Sequence, residues 1–320
     1  MKAHVALVFI LLSIVIYACG SGESLPTIAE PTTKEELGKL LFLDPILSQN
    51  NQISCASCHI PNYAFADTSA LSKGVEGKLG TRNTPSAMNL SSRNHFFYDG
   101  RAASLEEQAA GPIENSTEMN LPIAEAIKKL NAGKNYKAYF RKIYNDLPNR
   151  NNLLNAIAAF ERTLETSDTP FDRFMKEDEN AMSDAAKRGQ KIFNVKGKCF
   201  DCHFGPDFTG DQFRNIGLYN GKELNDKGRF DFTKDSTDIG KFKVPGLRNI
   251  AVTAPYMHNG IFKTLAEVID YYDNPTAFVK GSINSDSLLL KPLGLSSSEK
   301  SDLLKFLESL TDDRFTGLSK

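Results

Sequence analysis

Apolar residues recur at three- and four-residue spacing in short, separately capped runs, which predicts a mostly α-helical chain. Thr33 with Glu36 reads as a capping box ahead of Leu37, Leu40 and Leu41. Ser104-Leu105-Glu106-Glu107-Gln108 opens a second capped helix, and helical pattern continues through Ile123 to Leu130 and Tyr136 to Tyr144. The clearest helix is Asn152 to Leu164, where Leu153, Leu154, Ile157, Ala158 and Phe160 give a broad apolar face. Ser183 precedes a run from Ala185 to Phe193, Thr264-Leu265-Ala266-Glu267 caps a helix to about Asp273, and an amphipathic helix from Ser298 to Leu310 ends the pattern. Strand signals are few. Phe204 to Ile239, rich in Gly, Asp and Asn and weak in periodicity, reads as a long surface excursion.

The pattern repeats once. Gly38-Lys39-Leu40-Leu41-Phe42 is echoed by Gly189-Gln190-Lys191-Ile192-Phe193, and each run leads through a loop to Cys-x-x-Cys-His: Cys55-Ala56-Ser57-Cys58-His59 and Cys199-Phe200-Asp201-Cys202-His203. This spacing reads as c-type haem attachment, two thiols forming thioethers and the adjoining histidine ligating iron. Apart from Cys19, the two motifs consume every cysteine in the chain. A redox dithiol would not need a histidine at both sites, and a four-cysteine zinc site would leave both histidines without a role. The expectation is two cytochrome c-like domains with one covalent haem each, residues 33–172 and 173–320, with the seam near Thr169-Pro170. The final helix is a candidate to pack back on the first domain.

The N-terminus modifies the setting. Met1 to Ala18 carries Lys2, a nearly all-apolar run from Val5 to Tyr17, and small residues around Cys19, so it reads as a lipoprotein-type export signal. Residues 19–32 form a tether, Cys19 is the candidate lipid anchor, and the expected location is the periplasm. Charge is balanced, with 38 basic and 39 acidic side chains, which gives no support to nucleic-acid binding. The 21 phenylalanines supply material to wall two haems, and there is no tryptophan.

Only five histidines exist. His4 lies in the signal and His59 and His203 are proximal ligands, leaving His95 and His258; for His95, a half-buried histidine bonded to a turn is the simpler reading. Ile60 to Asn94 contains no histidine and no substitute beyond Met88, so the first haem is expected to keep an open face for peroxide. Heterolytic O–O cleavage needs a group that carries a proton from the inner oxygen to the outer one, and Glu118 is the candidate against the alternative of a solvated carboxylate. On the helix capped by Thr264, Leu265, Val268, Ile269 and Tyr272 share one side. Tyr272 is therefore a candidate sixth ligand of the second haem, with Tyr271 turned to solvent or to the other domain. Met257 in the turn Pro255 to Gly260 is the rival ligand.

Arg82-Asn83-Thr84-Pro85-Ser86, Phe97-Tyr98-Asp99-Gly100-Arg101-Ala102, Gly111-Pro112, Glu118-Met119, Phe160-Glu161-Arg162-Thr163-Leu164, Phe242-Lys243-Val244-Pro245-Gly246-Leu247-Arg248-Asn249 and Pro255-Tyr256-Met257-His258-Asn259-Gly260 occur in that order. This set resembles the bacterial di-haem cytochrome c peroxidase and MauG family over essentially the whole mature chain, about Thr33 to Leu310. The resemblance implies a peroxidatic haem on His59, an electron-transfer haem on His203, and Glu118 as acid-base group with Gln108 beside it. It also implies a candidate calcium ion at Asn83 and the carbonyls of Thr253 and Pro255, which no Asp-rich loop supports independently. Two departures stand out. Asp67 to Gly80 lacks the histidine that blocks the first haem in many relatives, and Tyr98 occupies the position where the family usually has a tryptophan between the haems. Tyrosinate ligation at Tyr272 is the MauG-like arrangement, whereas the peroxidases usually carry methionine there.

The expected function is reduction of hydrogen peroxide with electrons from a small donor protein, a cytochrome c or cupredoxin. The alternatives are a MauG-like oxidase acting on a partner protein and a plain di-haem electron carrier. Homodimer formation is left open.

Overall fold

The computed structural model describes residues 30–317; the expected export signal, Cys19 and the expected tether up to residue 29 lie outside the described residues. Helix α1 (Lys34–Leu43) starts at Thr33, whose hydroxyl accepts from the Glu36 amide at 3.2 Å, while the Glu36 carboxylate reaches Thr32 instead of closing the box. Ser104 caps α2 (Leu105–Glu114), followed by α3 (Ile123–Ala132) and α4 (Lys134–Tyr144). Reciprocal side-chain caps start α5 (Arg150–Glu161) at Asn149 and α6 (Pro170–Met175) at Thr169. The second half carries α7 (Asp184–Asn194), the two-residue strand β1 (Phe213–Arg214), α8 (Phe230–Thr233), strand β2 (Phe242–Lys243) antiparallel to β1, α9 (Leu265–Asp273), α10 (Pro275–Phe278) and α11 (Ser297–Glu308). Helices this short are marginal alone, so packing decides where they settle.

Two helix crossings organise the packing, and they are copies of each other. Gly38 of α1 meets α5 so closely that a Cβ there would stand 1.9 Å from the Ala156 carbonyl oxygen. Gly189 of α7 meets α11 in the same way, a Cβ falling 2.0 Å from the Asp302 carbonyl oxygen. Beside each glycine two rings pack edge to face: Phe42 with Phe160 at 5.2 Å and Phe193 with Phe306 at 5.1 Å. Each crossing anchors its own apolar cluster. Leu37, Leu41, Phe140, Leu153 and Ile157 belong to the first, and Phe193, Leu303, Phe306 and Leu310 to the second.

From Pro31 onward the two lobes belong to one compact unit. Much of the contact between them comes from the stretch expected to be a surface excursion. Asp226 accepts two bonds from Arg82, at 2.7 and 2.8 Å, and Arg229 donates to the Asp99 carbonyl at 3.0 Å. Leu218 is buried in the second cluster. The stretch is irregular because its polar residues bond across the lobe interface, a kind of order that leaves no periodicity. The final helix α11 packs on α7 within its own lobe. The segment after it crosses instead, Phe315 joining Phe42, Met88 and Phe160 in a shared cluster. Among the described residues no helix is long and apolar enough to cross a membrane.

Candidate functional site

Each Cys-x-x-Cys-His run folds as a tight turn, with the histidine amide donating to the first cysteine's carbonyl at 2.8 Å in both. His59 Nδ1 lies 2.9 Å from the Phe65 carbonyl oxygen, and His203 Nδ1 lies 2.9 Å from that of Phe208. Nδ1 is thereby committed as the donor and Nε2 is left as the free lone pair, the tautomer that iron requires. Burial lowers both imidazole pKa values, so both rings stay neutral. None of the four motif cysteines is tied up in a disulfide, which leaves both pairs for thioether formation.

Both turns open on one cavity of about 810 Å³. Its wall includes Cys55, Cys58 and His59 at one end, and Cys199, Cys202 and His203 at the other. Neutral imidazoles held by Nδ1, paired thiols, and apolar walls from Ile157 and Leu303 fit two thioether-bound haems.

At the first crevice, Gln108 on α2 and Glu118 on the following turn line the cavity together. Burial raises the pKa of Glu118, and the bond it accepts from Asn115 Nδ2 at 2.7 Å pulls it back. The backbone holds this turn in place, the Glu118 carbonyl accepting from Val75 at 2.8 Å. The loop Asp67 to Gly80 therefore packs on the Glu118 turn, and Ser72, Gly74 and Gly80 are its cavity-lining members. Met88, the one thioether in the Ile60 to Asn94 interval, is buried with its sulfur 3.6 Å from the amide nitrogen of Asn249.

Tyr98 lines the cavity, and burial holds its phenol neutral by raising its pKa. Around it lies a polar network that the residue pattern did not reveal. Arg82 spans Asp99 at 2.7 Å and Asp226, Phe242 packs under Arg82, and His258 stacks on Phe242 with ring centroids 3.8 Å apart. Burial lowers His258 to about 4, with Asp226 opposing and Arg82 assisting, so this ring is neutral. His95 lies off the cavity wall, its Nδ1 3.6 Å from Asp211 and its ring edge-on to Phe213.

At the second crevice, Tyr272 and Met257 both line the cavity. Burial raises the pKa of Tyr272, with the Cys199 and Cys202 thiols among the groups acting on it. Tyr271 does not turn to solvent or to the other lobe. It is fully buried in its own cluster and its hydroxyl donates to the Ile216 carbonyl at 2.5 Å, because the short β1 approach brings an unpaired carbonyl over α9. Asn83, Thr253 and Pro255 also line the cavity. The Asn83 amide nitrogen donates to the Ser69 and Ala70 carbonyls, which leaves Oδ1 as its remaining acceptor. Among the described residues no cluster of three or more His, Cys, Asp or Glu could hold a metal ion.

A family model described as di-haem cytochrome c peroxidase matches residues 32–180. The cytochrome-c peroxidase IdrP1 of Pseudomonas sp. (strain SCT) is 34% identical over 310 residues, spanning 87% of this chain and 80% of the relative. The methylamine utilization protein MauG of Methylophilus methylotrophus is 36% identical over 296 residues, spanning 90% of this chain and 86% of the relative. The crystal structure of a MauG-like protein associated with microbial copper homeostasis superposes with a TM-score of 0.80 at 30% identity, covering 93% of this chain and 99% of that one.

Proposed function

The chain belongs to the bacterial di-haem cytochrome c peroxidase and MauG family, and on that premise we propose that it reduces hydrogen peroxide to water with electrons from a small periplasmic donor protein. Membership makes it a haem-dependent oxidoreductase and implies two c-type haems, for which His59 and His203 are the proximal ligands. The observation that carries the peroxidase reading is the pairing of Glu118 and Gln108 on the cavity wall of the first motif, opposite no histidine from Ile60 to Asn94.

The haem supplies an iron that binds peroxide and passes electrons; the chain supplies the proton handling. Glu118, as carboxylate, takes the proton from the inner oxygen and returns it to the outer one, which leaves as water. The Gln108 amide orients the peroxide by hydrogen bonding. Two electrons from the donor and two protons from solvent complete the conversion to two waters. Tyr98 relays electrons between the crevices, and its neutral phenol must release a proton to hold a radical. A calcium ion at Asn83, Thr253 and Pro255 would brace the contact between lobes. The periplasm, with membrane contact through lipid on Cys19, is the proposed location.

Tyr272 at the second crevice favours a second reading, a MauG-like oxidase that shares an oxidising equivalent between haems and withdraws electrons from a partner protein. Stopped-flow mixing of the fully oxidised protein with peroxide separates the readings. Rapid oxidation of a reduced donor cytochrome, without prior reduction of the second haem, is expected for the first reading. A long-lived oxidised state without donor turnover supports the second, and absence of any spectral change overturns both. Glu118→Gln is expected to slow the peroxide step by about 10² to 10⁴ with haem content unchanged.

A further inference from the structure

We propose that Glu161 is a positioning residue of the first haem crevice, a buried carboxyl that gives up a proton when the first haem loses an electron and so couples that haem's potential to pH. Glu161 is the last residue of α5, lines the cavity and is 6% exposed. Its Oε2 is buried with no hydrogen-bond partner. Arg162, the neighbour that could pair with it, is committed to Glu106 through two bonds of 2.9 Å.

The duplicated crossing says what the fold itself needs at this position. Ala156 and Phe160 flank Gly38 as Asp302 and Phe306 flank Gly189, so Ile157 corresponds to Leu303 and Glu161 to Leu307. All four line the cavity. The second lobe builds its crevice with leucine where the first spends a carboxyl, and an unpaired buried carboxyl costs stability that leucine would not. The asymmetry therefore belongs to the chemistry of the first haem. Burial raises Glu161 to about 8, Arg162 on its own chain lowering it and Glu106 on α2 raising it; it acts in turn on Cys55, a thioether residue and not an iron ligand.

In the one-electron couple of a bound haem, loss of an electron to the mediator of a redox titration would add positive charge to the crevice and favour the Glu161 carboxylate, so one proton would leave to solvent. Reduction would restore both. The proposal rests on the reading of this crevice as a haem site.

Spectroelectrochemical titration of each haem on either side of pH 8 tests it in the holoprotein. In the unsubstituted protein the first-haem midpoint is expected to fall with pH toward the one-proton limit, a tenfold change in proton activity converting to about 59 mV. Glu161→Gln and Glu161→Leu should flatten that dependence and leave the second haem unchanged, whereas Glu118→Gln should retain it. An equal slope in Glu161→Gln overturns the proposal. Should the leucine variant fail to fold, infrared difference spectra of the unsubstituted protein decide. A protonated-carboxyl band that bleaches on oxidation of the first haem, and that is missing from Glu161→Gln, is required, and its absence overturns the proposal. A haemochrome assay showing fewer than two haems would instead remove the premise.

Discussion

Asn115 Nδ2 donates to Glu118 Oε1 at 2.7 Å, and this bond, with the charge of Arg101 as a lesser aid, opposes the burial that raises the same carboxyl's pKa. A hydrogen bond to the charged form stabilises it. Asn115→Leu should therefore move Glu118 further up, so that the carboxylate forms only at higher pH. The acid limb of the rate with peroxide is expected to shift to higher pH in this variant, with a smaller loss at alkaline pH than at neutral. Stopped-flow rates across pH check it; an unmoved limb would mean that Glu118 does not set it.

Tyr272 and Met257 make opposite demands on the second haem. A tyrosinate ligand favours the ferric state and a low potential, and a thioether raises the potential. Burial keeps the free Tyr272 phenol neutral, so only the iron's charge would make it ionise. Tyr272→Phe is expected to convert the second haem from low-spin to high-spin in the electron paramagnetic resonance spectrum, both haems remaining attached. A low-spin signal that survives this change and disappears in Met257→Ala would assign the ligand to methionine.

The helix crossings have no room for a methyl group. Gly38→Ala and Gly189→Ala each put a Cβ about as close to a backbone carbonyl as a covalent neighbour, so the helices must separate. Overpacking of this kind costs about 1–3 kcal/mol. Thermal melts should show a lower midpoint for both variants, and each should lower haem incorporation at its own motif more than at the other.

Arg82 and Asp226 tie the lobes together, with side chains 17% and 25% exposed. Burial alone would raise the Asp226 pKa, but the bonds and charge of Arg82 outweigh it and hold the carboxyl below its ordinary 3.8. Because the folded pKa is the lower one, the pair's contribution is in place above 3.8 and is lost as pH falls through the folded value. Asp226→Asn should cost roughly 1–3 kcal/mol at neutral pH, the range for losing hydrogen bonds to a charged group in a half-buried pair. Denaturant titrations should find that this difference narrows on acidification below the ordinary carboxylate range. A difference independent of pH would show that Asp226 acts through packing alone.

What the residue pattern could carry was local. Capped helices, the duplicated motif, and the side of α9 that holds Tyr272 all follow from residues within two or three turns of one another. Glu118 stands on the same cavity wall as Cys55 and Cys58, a placement that the residue order near the first motif suggests and only the folded loop Asp67 to Gly80 makes definite. The network of Arg82, Asp99 and Asp226 was not legible, since Asp226 lies 144 residues from Arg82 and meets it only when the lobes come together, while Asp99 is joined to Arg82 through an irregular loop with no periodicity. Tyr271 was misjudged because helical geometry gives direction but not what stands opposite, here the carbonyl of Ile216. Glu161 did leave a signal: it follows Ile157 by four residues and so falls within the apolar stripe of its helix.

Phe315 closes the cluster formed by Phe42, Met88 and Phe160. It is also made after every other member of that cluster, so the consequence is one of timing. Until the segment after α11 folds back, the first crevice lacks the ring that seals this side, and Cys55 and Cys58 sit in a lobe that is still incomplete. The second crevice also waits for late residues, since Phe306 of α11 packs on Phe193, but that helix precedes Phe315 in the chain. The lobe that begins first is therefore the one whose last ring joins last.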